Sequence, residues 1–145
     1  MKSKIPESFE PFPSISGFID LVGSYYYGGR DGNTHRYGFL AGEQHTNTNG
    51  VIHGGALMTF ADTAMGSSVY WTVKGPCATI SMNCEFIAGA KPGAWIEATV
   101  FITKVTRTLA FVRAELASDD VPVLNTSGIW KVFSPKSVSH PKPSF

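Results

Sequence analysis

The 145-residue chain is 43% hydrophobic, which favours one compact domain, residues 1–145, with a buried core. Its net charge is +1 and its lysines and arginines form no cluster, so we expect no nucleic-acid partner. No apolar run could cross a membrane, and Lys2 and Lys4 are not followed by the apolar stretch of a secretory signal. We therefore expect a cytoplasmic protein with no membrane partner.

The N-terminal third predicts an arm, a short helix and a hairpin. Residues 1–13 contain three prolines and few apolar anchors, which indicates a loose arm. A short helix is predicted over residues 14–22. Residues 24–28 and 36–44 predict two strands of a hairpin around the glycine-rich residues 29–32.

Residues 54–73 predict one long helix. The segment is rich in alanine and methionine, and a single face at helical spacing would carry Leu57, Phe60, Ala61, Ala64 and Ser68. Lys74, Gly75 and Pro76 form a stop signal directly after it. Twenty helical residues would span about 30 Å.

The C-terminal half alternates with the period of strands. Strands are predicted over residues 78–88, 96–102, 110–116 and 121–133, with turns at Thr106-Arg107 and Asp119-Asp120. The Pro/Ser/Lys-rich residues 134–145 predict a loose terminus. An antiparallel sheet of five or six strands must cover its apolar face, and curling around the one long helix achieves this. The pattern thus predicts an α+β fold.

Asp62 is the only formally charged residue between Glu43 and Lys74. It lies in the middle of the predicted helix, in an apolar context where an unpaired carboxylate is costly. It could cap a neighbouring loop or pair with a base across an interface. Alternatively, it is a catalytic carboxylate.

His53, Gly54 and Gly55 stand at the predicted start of the helix. The first N–H groups of a helix have no partner within the helix, the helix dipole favours negative charge there, and glycine permits close approach. The segment could therefore form an oxyanion hole for acyl transfer. An ordinary loop-to-helix junction would look the same.

The combined pattern is more specific than its parts. Asn47 and Gly50 precede His53-Gly54-Gly55 at three-residue intervals, and Asp62 follows nine residues after His53. This closely resembles the signature of hotdog-fold thioesterases of the phenylacetyl-CoA thioesterase-like group. Residues 79–83 and the hairpin segment 104–111 also resemble the corresponding segments of that group, so the resemblance covers roughly residues 36–133. It implies a hotdog fold, with the sheet wrapped around the long helix.

The resemblance implies roles for individual residues. Asp62 would be the general base for a water or the direct nucleophile. Asn47 would position that water or the substrate carbonyl, and Thr79 would lie near the reacting water. The Gly54 N–H would bind the thioester oxygen.

Two further residues of the helix start receive roles from the same resemblance. His53 would order the site through hydrogen bonds near the thioester, and Gly55 would contact the substrate. The implied substrate is an acyl-CoA thioester and the implied assembly a homodimer, often paired into a dimer of dimers.

No cofactor and no metal site are expected. The four histidines are dispersed, and Cys77 and Cys84 stand seven residues apart, which matches no common metal motif. We expect both cysteines to be reduced core thiols.

Helix geometry predicts that each active site spans two chains. Gly54 and Asp62 are eight residues apart, which separates them by about 12 Å along the axis and by roughly 80° around it. Reacting atoms must approach to about 3–3.5 Å, so the two residues cannot serve one site from one chain. A two-fold dimer would place Gly54 of one chain opposite Asp62 of the other.

Two other functions remain open from the sequence. A hotdog dehydratase or hydratase would act on the α and β carbons of an acyl thioester. A non-catalytic acyl-CoA-binding module would need a binding pocket but would not need a buried carboxylate.

Overall fold

The computed structural model describes residues 4–13 and 17–133. Its elements, in chain order, are β1 (Glu10–Pro11), α1 (Phe18–Val22), β2 (Tyr25–Asp31), β3 (Thr34–Leu40), a 3₁₀ turn (Glu43–His45), α2 (Gly54–Val73), β4 (Cys77–Phe86), β5 (Trp95–Val105), β6 (Leu109–Ser118) and β7 (Val121–Val132). The predicted loose terminus, residues 134–145, lies outside the described residues.

The seven strands form one antiparallel sheet in the order β1-β2-β3-β5-β6-β7-β4. The sheet holds one strand more than the largest number predicted, because two residues of the N-terminal arm pair with β2. Helix α2 lies against one face of the sheet and contacts β3, β4, β5, β6 and β7. The predicted α+β hotdog fold is confirmed.

Helix α2 begins and ends where the sequence predicts. Its predicted apolar face is buried, with Leu57, Phe60, Ala61, Ala64 and Ser68 all at most 3% exposed. Lys74 closes the helix in the left-handed conformation, at φ 57°, and Gly75 and Pro76 follow. Asp62 lies outside the buried face and is half-buried.

The predicted hairpins are present. Strands β5 and β6 pair in antiparallel register around the short turn at residues 106–108. Asp119 and Asp120 form the β6–β7 turn with φ angles of 48° and 66°, the left-handed pair that suits a two-residue hairpin. The first hairpin differs in detail, because β2 continues to Asp31 and the turn falls at Gly32-Asn33.

The arm differs from the predicted loose segment over residues 4–13. Phe9 is 6% exposed and packs edge-on against Trp95, at 5.1 Å between ring centroids. Further along, the Phe12 N–H donates to the Tyr25 carbonyl at 2.9 Å. Aromatic packing and backbone pairing order this segment despite its prolines.

Strand β4 forms one edge of the sheet. Its register with β7 shifts between Thr79 and Ser81, so Ile80 is the extra residue of a bulge. Ile80 and Phe86 on this edge are 56% and 55% exposed. A bulge redirects side chains locally, and this one lies directly beside a predicted site residue.

Candidate active site

Asp62 and Thr79 are brought together across the contact between α2 and β4. The Thr79 hydroxyl Oγ1 donates to the Asp62 carboxylate Oδ1 at 2.6 Å, within the range of a charge-assisted hydrogen bond. Within the described residues of this single chain, Asp62 forms no ion pair; its pairing with a base across an interface stays a prediction. The carboxylate is held by a neutral hydroxyl in a fixed position.

A cleft of about 290 Å³ contains this pair. Apolar and small polar side chains form most of its lining, which comprises Phe12, Ile19, Asp62, Thr63, Gly66, Ser67, Tyr70, Cys77, Ala78, Thr79 and Trp130. Asp62 is the sole formally charged residue of that lining. The aromatic part of this lining was not predicted from the sequence. The alternation of β7 places Trp130 on the same face as Leu124, and this signal could have identified Trp130.

The thiol of Cys77 lies in the same cleft. Burial, with a further contribution from the Asp62 charge, raises the pKa of this thiol to about 11. A thiol with such a pKa stays protonated near neutral pH and is a poor nucleophile. Both Cys77 and Cys84 are free, and both are half-buried, packed against the predicted core rather than inside it.

The start of α2 is capped by His53. Its ring Nδ1 accepts a hydrogen bond from the Gly55 N–H at 2.7 Å, and its carbonyl accepts from Ala56 and Leu57. A Cβ on Gly55 would lie 2.9 Å from that nitrogen, so glycine is what allows the ring to sit there. The Gly55 N–H is therefore paired with His53, and the contact of Gly55 with the substrate stays a prediction.

Gly54 is left with a different environment. Within residues 4–13 and 17–133, its N–H has no hydrogen-bond partner, unlike those of the next three residues. It lines a second cleft of about 400 Å³ with Ile52, Leu57, Phe86, Ile87, Ala88 and Gly89. Asp62 and Gly54 thus open into different clefts of one chain.

Asn47 lies in the loop that precedes α2 and lines neither of these clefts. Its side-chain Oδ1 accepts from the Asn49 N–H at 2.9 Å and, more weakly, from the Val51 N–H at 3.4 Å. Its backbone also pairs with that of Val51. In this structure the side chain of Asn47 stabilises the loop that leads into His53 and Gly54 at the start of α2.

A larger cavity of about 490 Å³ lies on the opposite, convex face of the sheet. Its lining includes four carboxylates against one lysine, Lys4, and none of the predicted site residues; the carboxylates are those of Glu97, Glu115, Asp119 and Asp120. Such a surface would repel an anionic substrate. Across the described ranges, no three His, Cys, Asp or Glu side chains are grouped to hold a metal, and no helix could span a membrane.

Similar proteins agree with this fold. "Putative esterase PA0474" of Pseudomonas aeruginosa is 28% identical over 128 residues, covering 87% of this chain and 96% of that protein. Acyl-coenzyme A thioesterase 13 of Mus musculus is 34% identical over 87 residues, covering 59% of this chain and 62% of that protein. The structure of the E. coli PaaI protein, from the phenylacetic acid degradation operon, superposes with a TM-score of 0.71 at 17% identity, covering 77% and 80% of the two chains.

The structural likeness shows the class of fold, a hotdog fold. The family model described as Thioesterase superfamily matches residues 49–124, more than half of the chain, which includes α2 and β4. The chain belongs to the Thioesterase superfamily.

Proposed function

We propose that this chain hydrolyses acyl-CoA thioesters to a free acid and CoA, with Asp62 driving the attack. The observation that carries the proposal is the 2.6 Å hydrogen bond that holds the Asp62 carboxylate in an otherwise uncharged cleft. The name of the Mus musculus relative, an acyl-coenzyme A thioesterase, supports the substrate class. A thioester has an electrophilic carbonyl and a good leaving group, so one carboxylate and one oxyanion donor can suffice.

The hydrogen bond from Thr79 engages Oδ1 of Asp62 and leaves Oδ2 to act. As a base, Oδ2 takes a proton from water while the water oxygen bonds to the carbonyl carbon. The carbonyl oxygen becomes an oxyanion beside the Gly54 N–H. The carbon–sulfur bond then breaks, and the proton passes from Asp62 to the CoA thiolate.

A nucleophilic route is the alternative for the same carboxylate. Oδ2 would attack the carbonyl carbon, CoA thiolate would leave, and water would hydrolyse the resulting anhydride. In a single turnover in heavy-oxygen water, label in Asp62 would establish the nucleophilic route with water attacking the Asp62 carbonyl, whereas label in the product acid alone fits either route.

Each site would be shared by two chains of a homodimer, with a dimer of dimers as the larger assembly. Gly54 and Asp62 line separate clefts in one chain, which supports this sharing. His53 would keep the helix start in place, and Asn47 would hold the preceding loop or orient the water.

The test is Asp62→Asn. The amide is nearly isosteric but can act neither as base nor as nucleophile, so we expect turnover of the best acyl-CoA to fall by about 10²–10⁴-fold. Thiol release measures this, and circular dichroism checks the fold. Asp31→Asn, on the exposed end of β2, is the matched control and should keep full activity. Turnover in Asp62→Asn within a few-fold of wild type would contradict the assignment.

The same assay separates the rival functions. A dehydratase would release no thiol from a saturated acyl-CoA and would instead hydrate an enoyl-CoA. A binding module would retain acyl-CoA and release no thiol at all.

A further inference from the structure

His45 lies at the base of the loop that leads into α2. The two sides of this loop meet in an antiparallel bridge between Thr46 and Ile52. Next to the bridge, the His53 N–H donates to the His45 carbonyl at 2.7 Å. His45 is only 6% exposed, and its ring packs edge-on against that of Phe39, at 4.7 Å between centroids. A buried imidazole thus stands directly beside the residue that precedes Gly54.

Both nitrogens of the His45 ring form hydrogen bonds. Nδ1 accepts from the Gly42 N–H at 2.9 Å and so carries no proton, which leaves Nε2 to donate to the Val22 carbonyl. Val22 is the last residue of α1, where carbonyl groups have no partner within the helix. The neutral ring therefore joins the end of α1 to the turn that precedes the loop.

The peptide group between His53 and Gly54 is held on both sides. The His53 N–H is bonded to His45, and the His53 carbonyl accepts from Ala56 and Leu57. That carbonyl and the Gly54 N–H belong to one planar peptide group, so they turn together. A shift of His45 would therefore change the direction in which the Gly54 N–H points.

We propose that His45 is a positioning residue for the Gly54 N–H. The inference rests on the proposed thioesterase function, in which that N–H binds the oxyanion. His45 lines neither the Asp62 cleft nor the Gly54 cleft, so it acts through His53. An oxyanion donor must lie about 2.7–3.1 Å from the developing charge, and small displacements weaken it. The charge develops in the transition state, so His45 affects kcat more than KM.

The first experiment removes the ring hydrogen bonds and keeps the ring shape. His45→Phe should lower kcat by about 10–100-fold with KM nearly unchanged, less than the roughly 10²–10³-fold cost of losing an oxyanion donor outright. In His45→Asn, Oδ1 takes the place of Nδ1 and keeps the bond from Gly42, while the bond to Val22 is lost. This variant should recover part of the rate. Thiol release measures the rates, and circular dichroism measures the folded fraction.

A double-mutant cycle separates positioning from a general structural role. Gly54→Pro removes the N–H itself, and proline suits this position because Gly54 begins α2 and His53 before it is extended, at ψ 134°. Every chain in the comparison carries Phe86→Ala, because a Cβ on residue 54 would lie 2.9 Å from that ring. With proline at residue 54, His45→Phe should lower kcat by at most about two-fold further. If His45→Phe does not fold, the same cycle with His45→Asn decides.

A second background and a second buried histidine serve as controls. With Thr79→Val, which acts on Asp62, the His45→Phe loss should persist in full. His35→Leu is the matched control, because His35 is also buried but lines neither cleft, and its kcat at neutral pH should equal that of wild type.

Two results would overturn the inference. One is an unchanged kcat in the folded His45 variants, and the other is an equal loss with glycine and with proline at residue 54. Absence of acyl-CoA hydrolysis by wild type, or full turnover in Gly54→Pro, would instead overturn the proposed function.

Discussion

At the scale of single residues, the contact between Thr79 and Asp62 invites the most direct test. A hydrogen bond to a charged group contributes about 1.5–3 kcal/mol, so losing it should misplace the carboxylate. We expect Thr79→Val, which keeps the shape, to lower kcat by about 10–100-fold, as measured by thiol release. Thr79→Ser keeps the hydroxyl and should retain most activity. Equal rates for the valine and serine variants would show that the hydroxyl is dispensable.

His35 is a second residue with a measurable consequence. It is fully buried, and neither ring nitrogen has a hydrogen-bond partner within the described part of the chain. Burial, helped by the positive charge of Arg30, lowers the pKa of His35 from 6.5 to about 4. The folded protein therefore holds this imidazole neutral.

This pKa shift predicts acid sensitivity. Between pH 6.5 and 4 the unfolded chain binds a proton that the folded chain does not, so stability falls as the pH falls through this window. At pH 5 the loss relative to pH 7 should be about 2 kcal/mol. Urea unfolding of wild type and His35→Leu at both pH values measures it, because carboxylate contributions are common to both proteins. The free energy of unfolding of the leucine variant should lack this share of the pH dependence. If both proteins lose the same stability between pH 7 and pH 5, the loss comes from groups other than His35.

The sequence identified Asp62 because a single charged residue in an apolar helix needs a partner or a functional role. It could not show that Thr79 would be that partner, because their contact depends on β4 lying at the sheet edge beside α2. The resemblance supplied Thr79 instead. Phe12 was missed because a proline-rich arm carries no periodicity, and its order comes from backbone pairing with β2.

At the scale of elements, the start of α2 predicts how Gly54 acts. A Cβ there would lie 2.9 Å from the Phe86 ring, so Gly54→Val both covers the free N–H and collides with Phe86. We expect it to lower turnover and stability together. Adding Phe86→Ala removes the collision and should restore the melting temperature without restoring turnover. Recovery of both would mean that Gly54 is only a packing position.

Local signals explain which elements were predictable. Helix α2 was predicted to the residue because Gly54-Gly55 and Gly75-Pro76 enclose a segment with helical periodicity, and β5 and β6 followed from strict alternation. The two-residue β1 and the position of β4 beside β7 depend on contacts between distant segments. No local pattern encodes those contacts.

At the scale of the whole molecule, β4 is an open edge with apolar side chains. Ile80, Phe86 and the adjacent Ile87 are each more than half exposed, and both clefts lie along this side. Exposed apolar strand edges favour pairing with another chain. We expect a homodimer formed across β4, which would carry the Gly54 cleft of one chain towards the Asp62 cleft of the other. Ile80→Lys should shift the chain towards monomer in sedimentation, with activity falling in parallel.

Complementation tests whether one active site draws on two chains. Co-expression would combine an Asp62→Asn chain with a chain carrying Asn47→Ala and Gly54→Val, each inactive alone. If Asp62 and Gly54 reach a common site only from opposite chains, one site of a mixed dimer collects all three substitutions and the other has none. With random pairing, half of the dimers are mixed and each has one intact site, so activity should return to roughly a quarter of wild type. Differently tagged chains allow the mixed dimers to be purified, where the expected activity is about half. Purified mixed dimers without activity would refute the model in which two chains share one active site. Gly54 and Asp62 would then not serve the same site.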